Sequence, residues 1–255
     1  MRMGKILGKI APVVALVVAA GLSGCDNVNV QFGDNEGVPL SELDLSGEAP
    51  PALVLASPDS VIVTTGDDFT IDVEGSAEAR ERMRFALDDD SLAIHRAGGD
   101  WAEGDVATIN VTMPAPESLV MAGSGSMTVD AMARTAEITM AGSGTITADG
   151  IAAERMEVTV AGSGTVSASG TAERLELTVA GSGSADMEGL EAERAEVTVA
   201  GSGDATFASN GSVEASIVGS GDVRVLGSAS CEVNTVGSGE LVCEEPVVEA
   251  TEEEA

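Results

Sequence analysis

Acidic and basic side chains recur at regular intervals in the second half of this 255-residue chain. A glutamate returns every 18 to 20 residues, and in four of these intervals an arginine stands two or three residues before it. Carboxylates in such numbers could act as acid and base in glycoside hydrolysis, or supply oxygen ligands to Ca²⁺. The glutamates are Glu137, Glu157, Glu176, Glu196, Glu214 and Glu232, and the arginines are Arg134, Arg155, Arg174 and Arg194.

The tripeptide Gly-Ser-Gly recurs seven times with the same spacing and predicts the turns of a repeated structure. A repeat of 18 to 20 residues is one coil of a solenoid, which buries its apolar side only against its neighbours. Glycine allows the corner of each coil to adopt positive φ. No lysine or helical pattern follows, as a phosphate-binding loop would require. The first glycines are Gly123, Gly142, Gly162, Gly181, Gly201, Gly219 and Gly237.

Apolar and polar residues alternate on both sides of each Gly-Ser-Gly. Met156-Glu157-Val158-Thr159-Val160 is representative of the segments that precede it. Strict alternation predicts a strand with one buried and one wet face. We therefore expect an all-β, single-stranded parallel β-solenoid (β-helix) with coils of about 18–20 residues. The inward positions predicted after each corner are Met127, Ile146, Val166, Ala185, Ala205, Val223 and Leu241, followed by Val129, Ala148, Ala168, Met187, Phe207, Val225 and Cys243.

The earlier part of the predicted domain, residues 52–114, is less regular. Strand patterns occur at residues 60–63, 69–73, 83–87, 92–94 and 107–111, separated by acidic turns. Terminal coils of solenoids are atypical because one end must be closed. This part is therefore predicted to form the opening coils and a less regular N-terminal cap, and the whole domain is expected at residues 52–243.

The arginines and glutamates admit a structural interpretation. In three coils the arginine lies two residues before the glutamate, so that both point outward on one sheet face. A column of arginines can then neutralise a column of glutamates and keep the coils in register. The last two coils lack the arginine, and Asp204, Asp222 and Glu240 follow their Gly-Ser-Gly directly. This acidic end could attract Ca²⁺, although it does not match the nonapeptide calcium repeat, and we expect no metal and no cofactor.

Three cysteines occur, and their positions suggest different roles. Cys231 and Cys243 fall on inward positions of the final coil, where a disulfide would close the end of the stack and buried free thiols are the alternative. Cys25 follows Leu22-Ser23-Gly24, a sequence that resembles the lipobox of bacterial lipoproteins. An ordinary signal peptide with an incidental cysteine is the alternative there.

The two ends of the chain are expected to lie outside the domain. Basic residues open the chain and an uncharged apolar run fills residues 10–22, which is too short to span a membrane and typical of a secretory signal. Residues 1–24 are therefore predicted to be a lipoprotein signal peptide, and Cys25 is expected to carry lipid that anchors the protein to a membrane. Residues 25–51 are predicted to form a flexible acidic tether, and residues 244–255 a disordered acidic tail.

The charge of the chain limits its partners. After the predicted signal peptide it contains nine arginines, no lysine and 43 acidic residues. Such a surface repels nucleic acid, so no nucleic-acid partner is expected. The negative charge is better explained by a need for solubility, by attraction of cations or by a basic partner.

The order of these features resembles a known family. Early strands, then Val111-Thr112-Met113-Pro114 leading into residues 119–125, and then repeated Gly-Ser-Gly coils are similar to the head GIN domain of auto-transporter adhesins. The resemblance covers about residues 52–243 and implies a parallel β-solenoid in an exported protein or lipoprotein, without a catalytic motif. The predicted lipoprotein signal departs from the family's pattern, so display by an autotransporter is not expected.

The resulting expectation is a non-enzymatic, membrane-anchored envelope lipoprotein that uses its solenoid for adhesion, binding or scaffolding. Its partner would be an unidentified protein or glycan, and the side of the membrane on which it lies stays open. A cation-responsive envelope sensor is the first alternative. A polysaccharide-acting β-helix enzyme is the second, and the absence of tyrosine and the single histidine and tryptophan weigh against it.

Overall fold

The computed structural model describes residues 37–98 and 105–244, all of them within one unit, Gln31–Ala255. Strands dominate this part of the chain, together with one 3₁₀ turn, Leu40–Glu42, and one helix, α1, Ala77–Arg82. No helix within the described ranges has the length and apolar character needed to cross a membrane. The strands are β1 Ala52–Ala56, β2 Ser60–Thr65, β3 Thr70–Glu74, β4 Met83–Leu87, β5 Ser91–Arg96, β6 Thr108–Met113, β7 Ser118–Met121, β8 Ser126–Val129, β9 Thr135–Met140, β10 Thr145–Ala153, β11 Arg155–Gly162, β12 Thr165–Gly181, β13 Ser184–Gly201, β14 Asp204–Gly219, β15 Val223–Leu226, β16 Ser230–Gly237 and β17 Leu241–Glu244.

The strands stack into two long parallel ladders, one before and one after the Gly-Ser-Gly corner of each coil. In the middle coils a shorter parallel ladder follows beyond a register shift, where Ile151 pairs with Gly170 and Gly170 with Leu190. The ladder before the corner contains β1, β7, β9, β11, the second halves of β12, β13 and β14, and then β16. The ladder after the corner contains β2, β8, β10, the first halves of β12, β13 and β14, and then β15 and β17. The predicted parallel β-solenoid is confirmed.

The core includes the predicted inward positions. Every inward position named above is buried from Met127 to Val225. In the final coil, however, Leu241 is only half-buried and Cys243 is exposed, because no further coil of the described chain covers them. Burial of the two cysteines was expected from the alternation pattern, and Cys231 is likewise only half-buried.

The Gly-Ser-Gly corners stack backbone directly on backbone. Gly181 and Gly201 have φ values of 120° and 129°, a region that residues with a side chain rarely adopt. A Cβ atom on Gly201 would lie 2.3 Å from the carbonyl oxygen of Gly181, and one on Gly219 would lie 2.1 Å from that of Gly201. The amide of Ser202 donates to the Gly181 oxygen at 2.8 Å. Both the backbone conformation and the space therefore require glycine.

The N-terminal coils are not stacked in chain order. The coil formed by β1 and β2 lies between the coil formed by β5 and β6 and the coil formed by β7 and β8. Antiparallel strands β3 and β4 pair with β6 and β5 and complete this end of the stack. The less regular N-terminal cap is confirmed, and its order in space results from a chain that runs to the end of the stack and returns.

Helix α1 belongs to this cap and was not predicted. Its N-cap residue is Ser76, whose side-chain oxygen accepts a hydrogen bond from the amide of Ala79 at 2.9 Å, and Ala79 itself is fully buried. Ser76 followed by alanine, glutamate and arginine is a helix-start signal. The helix has only six residues, too few for a helical period to stand out between the neighbouring strand patterns.

The corner between β1 and β2, the first along the chain, has a different sequence, Ser57-Pro58-Asp59. The amide of Ala122 donates to Leu55 O at 2.9 Å, and that of Ser126 donates to Asp59 O at 3.0 Å, as in the later corners. The buried carboxylate of Asp59 accepts hydrogen bonds from Arg96 Nε at 2.7 Å and from the amide of Ala107 at 2.8 Å. A buried ion pair that also satisfies backbone groups fixes the corner to the cap. Sequence patterns did not reveal it.

The domain begins before the predicted boundary at residue 52. Val38 and Phe85 exchange two backbone hydrogen bonds, both of 2.9 Å, and Leu40 and Leu43 pack against the core. The second half of the predicted tether is thus attached to the cap. Glu244, predicted as the first tail residue, ends β17. The predicted signal peptide, Cys25, residues 26–36 and residues 245–255 lie outside the described residues.

Candidate binding surface

The glutamates form the predicted column on the outer face of the ladder before the corner. Each glutamate pairs in register with the next, from Glu137 through Glu157, Glu176, Glu196 and Glu214 to Glu232. Like charges opposite one another on adjacent strands are unfavourable. Accordingly, the pKa of Glu157 is raised above its usual value, first by partial desolvation and then by the carboxylates of Glu176 and Glu137, with partial relief from Arg155.

The arginine column is shorter than predicted. Arg174 pairs with Arg194, and Arg155 lies next to Arg174 because Met156 pairs with Leu175. Arg134 was expected in the same column, but Thr135 is the residue that pairs with Arg155. The prediction was wrong at this position because Arg134 lies three residues, not two, before its glutamate.

Charge neutralisation within these columns is partial. Arg134 forms an ion pair with Glu154 of the next coil, and Arg155 Nη1 lies 3.9 Å from Glu176 Oε2. Both pairs are largely exposed, so each contributes about 0–1 kcal/mol. In the described part of the chain, Arg174 and Arg194 form no ion pair. Together with Glu176, Glu196 and Ser212 they line a shallow depression in which cationic and anionic groups alternate.

The acidic residues of the last corners have a structural role. The carboxylate of Asp204 accepts a hydrogen bond from the amide of Asp222 at 2.9 Å, and that of Asp222 accepts one from the amide of Glu240 at 2.9 Å. In an earlier coil the equivalent amide, that of Thr145, donates to the backbone oxygen of Gly125. Residues 37–98 and 105–244 contain no group of three or more histidine, cysteine or acidic residues that could hold a metal ion.

The last two coils combine exposed apolar side chains with an acidic column that has no arginine beside it. Val218 and Val236 pair in register on the outer face and are 52% and 65% exposed, and Val233 is 47% exposed. Ser212 and Ser230 continue the arginine column beside Glu214 and Glu232. A disulfide joins Cys231 of β16 to Cys243 of β17, with the Cα atoms 6.7 Å apart.

This arrangement of corners, ladders and cap has relatives. The family model described as "Putative auto-transporter adhesin, head GIN domain" matches residues 50–229, well over half of the sequence. The chain belongs to the head GIN domain family. The match ends before β16, so the final coil lies beyond the part of the GIN domain that the family model covers.

Solved structures share the fold. A "putative adhesin" from Bacteroides fragilis superposes with a TM-score of 0.73 at 19% identity, covering 79% of this chain and 94% of that one. A "putative lipid binding protein" from Parabacteroides distasonis superposes with a TM-score of 0.62 at 21% identity, covering 78% and 94%. No curated protein matches the sequence. At these identities the structures establish the architecture of the GIN domain and not its ligand.

Replacing Glu157 by glutamine should stabilise the folded protein at neutral pH. The raised pKa means that the ionised carboxylate costs stability above that pKa, and that the cost disappears as pH falls through it. We expect E157Q to gain about 0.2–1 kcal/mol at pH 7. The gain should vanish below the ordinary value of 4.5.

Urea unfolding of E157Q at several pH values measures this effect. Glu48→Gln, the same charge change in an exposed segment outside the ladders, is the matched control and should have little effect. A gain for E157Q that does not depend on pH would show that carboxylate repulsion in the column is not its cause.

The disulfide should hold the final coil against local unfolding. Its cysteines are separated by 12 residues, and closing a loop of roughly this size contributes about 3 kcal/mol. In the Cys231→Ser, Cys243→Ser variant we expect proteases to cut residues 227–244 at least several-fold faster while the earlier coils stay resistant. Mass spectrometry of the fragments locates the cuts. Two free thiols in the native oxidised protein, or unchanged cleavage rates, would contradict the expectation.

Proposed function

We propose that this GIN-domain protein is a lipid-anchored, non-enzymatic binding protein of a bacterial envelope, which presents its solenoid for adhesion or scaffolding. The observation that carries the proposal is the difference between the interior and the outer face of the solenoid. Apolar side chains fill the interior, and the outer face carries charged columns at fixed strand spacing. A rigid surface of this kind suits recognition of an extended protein or glycan.

Several acidic and basic groups of the described chain have structural partners. The buried charges of Asp59 and Arg96 bond to each other and to the backbone. Asp204 and Asp222 bond to amides of the following coil. These roles favour a binding protein over a polysaccharide-acting enzyme or a cation-responsive sensor, and the adhesin description of the family favours it further.

The anchor is proposed from the sequence alone. Arg2, Lys5 and Lys9 precede the apolar run of residues 10–22, and Leu22-Ser23-Gly24-Cys25 resembles a lipobox. Each buried methylene of an attached acyl chain contributes about 0.8 kcal/mol, so more than one chain gives stable attachment. An acidic domain that lipid headgroups repel would need such an anchor to remain at a membrane.

Fractionation of cells that express the full chain tests the anchor. The wild-type protein should sediment with membranes and enter the detergent phase, whereas Cys25→Ser should lose this behaviour. The Cys231→Ser, Cys243→Ser variant is the matched control, because it also replaces cysteine by serine and should remain in the membrane fraction. Membrane association of Cys25→Ser at the wild-type level would refute lipid anchoring.

Protease treatment of intact cells then separates adhesion from a role on the inner side of the envelope. Removal of the domain by protease supports surface presentation and adhesion, and complete protection contradicts it. Incubation of the purified protein with acidic polysaccharides tests the non-enzymatic part of the proposal. Release of any product would overturn that part.

A further inference from the structure

The two ends of the solenoid differ in whether further strands cover them. At the N-terminal end, antiparallel strands β3 and β4 and helix α1 close the stack. At the other end, β16 pairs with β14 and β17 pairs with β15, and no further strand of the described chain pairs with either. Because a parallel strand uses alternate backbone groups for each neighbour, one side of β16 and of β17 presents its N–H and C=O groups outward.

Natural proteins often protect such an edge with proline or lysine, and the described strand β16 has neither. Strand β16 has eight residues, which is long for an edge strand, and contains no arginine. Four of the six exposed large apolar side chains in the described part of the chain lie on the last two coils. They are Val218, Val233, Val236 and Val242.

The charge at this edge is strongly acidic. Glu214 and Glu232 continue the glutamate column here, while serines occupy the positions beside them where earlier coils have arginine. Asp222 and Glu240 lie in the adjoining corner. Arg224, the one arginine described in the last two coils, is engaged with Glu244 at 2.8 Å. An incoming strand would therefore meet uncompensated carboxylates.

The conformation of the final coil is also restrained by a cross-link. The disulfide between Cys231 and Cys243 links β16 to β17 across the end of the core. A cross-link of this kind lowers the ordering cost of binding because the edge is held in its strand conformation beforehand. The coil lies beyond the family match, which ends at residue 229.

We infer that the open edge of β16 is a binding site for an extended, basic segment of a partner protein, which adds as a further strand. Main-chain hydrogen bonds to β16 supply affinity, and the apolar contacts with Val233 and Val236 add to it. An arginine or lysine of the partner would lie beside Glu232, at the position that arginine occupies in earlier coils. The inference deepens the proposed binding function by naming the class of partner.

Charge complementarity selects this occupant over two others. A second copy of the chain would bring the same glutamates against one another, and like charges disfavour that contact. The chain's own last residues contain Glu245, Glu249 and Glu252 among others and no basic residue, so they share the sign of the edge.

Titration of the full chain with fluorescent peptides tests the inference. The probe is a short peptide of alternating valine and threonine with arginines on its polar face. One control peptide has glutamate in place of arginine, and another carries N-methyl groups that remove the strand hydrogen bonds. We expect the basic peptide to bind, both controls to bind at least about tenfold more weakly, and affinity to fall as salt screens the charges.

Two charge reversals in one column locate the site. Glu232→Arg at the open edge should weaken binding of the basic peptide about tenfold or more, and Glu232→Gln should weaken it less. Glu176→Arg, the same change inside the stack, should leave the affinity within about twofold. Circular dichroism checks that each variant is folded, and hydrogen exchange should show slower exchange in β16 when the peptide is bound.

Four outcomes of the peptide titrations would overturn the inference, and self-association of the chain would be a fifth. The four are no binding of the basic peptide, equal binding of all three peptides, equal losses from Glu232→Arg and Glu176→Arg, and binding that appears only in a chain ending at Glu244, which would make the tail the occupant. Concentration-dependent dimerisation that competes with the peptide would assign the edge to a second copy. None of these outcomes alters membrane fractionation or protease accessibility on cells, so failure of this inference and failure of the proposed function can be told apart.

Discussion

The close stacking of backbone corners is the constraint on which the rest of the structure depends. Successive corners lie one strand spacing apart, so the carbonyl oxygen of one glycine occupies the space that a Cβ atom of the next would need. Hydrogen bonds such as that from Ser202 to Gly181 join the corners in fixed register. Once the corners are in register, every position of one coil lies over the same position of its neighbours. The result is a set of columns, each with its own chemistry.

The columns explain both what stabilises the domain and where like charges repel one another. Inward columns of valine, leucine, isoleucine, methionine and alanine form a continuous core, whose burial supplies the main driving force for folding. The same register places the glutamates on top of one another, and partial desolvation together with the neighbouring carboxylates raises the pKa of Glu157. Arginines relieve this repulsion only in the middle coils. At the C-terminal end no arginine lies beside the glutamates, and no further coil of the described chain covers the core. The acidic edge strand β16 is also unpaired on one side. We place the binding site there for these reasons.

Sequence periodicity was enough to predict the repetitive part of the fold. The corners and the inward positions from Met127 to Val225 follow from local spacing alone, because each coil repeats the same short pattern. The order of the cap strands did not follow, since the position of β1 and β2 between later strands depends on contacts between distant segments. The ion pair of Asp59 and Arg96 was missed for the same reason, as 37 residues separate its partners. Of the candidate site, the glutamate column and the missing arginines were visible in the sequence, whereas the open edge became visible only when the coils were stacked.

The thermal stability of two alanine variants tests the corner constraint most directly. Gly201→Ala places a Cβ atom 2.3 Å from a carbonyl oxygen at a φ of 129°, whereas Gly47→Ala adds a Cβ atom with no neighbour within 4 Å. Strain of this kind costs about 1–3 kcal/mol for the backbone conformation alone, and the steric contact adds to it. For a domain of this size each kcal/mol lowers Tm by about 2–4 °C. Gly201→Ala should melt many degrees below the wild type, while Gly47→Ala should melt within a degree or two of it. Equal melting temperatures for the two variants would contradict the corner constraint.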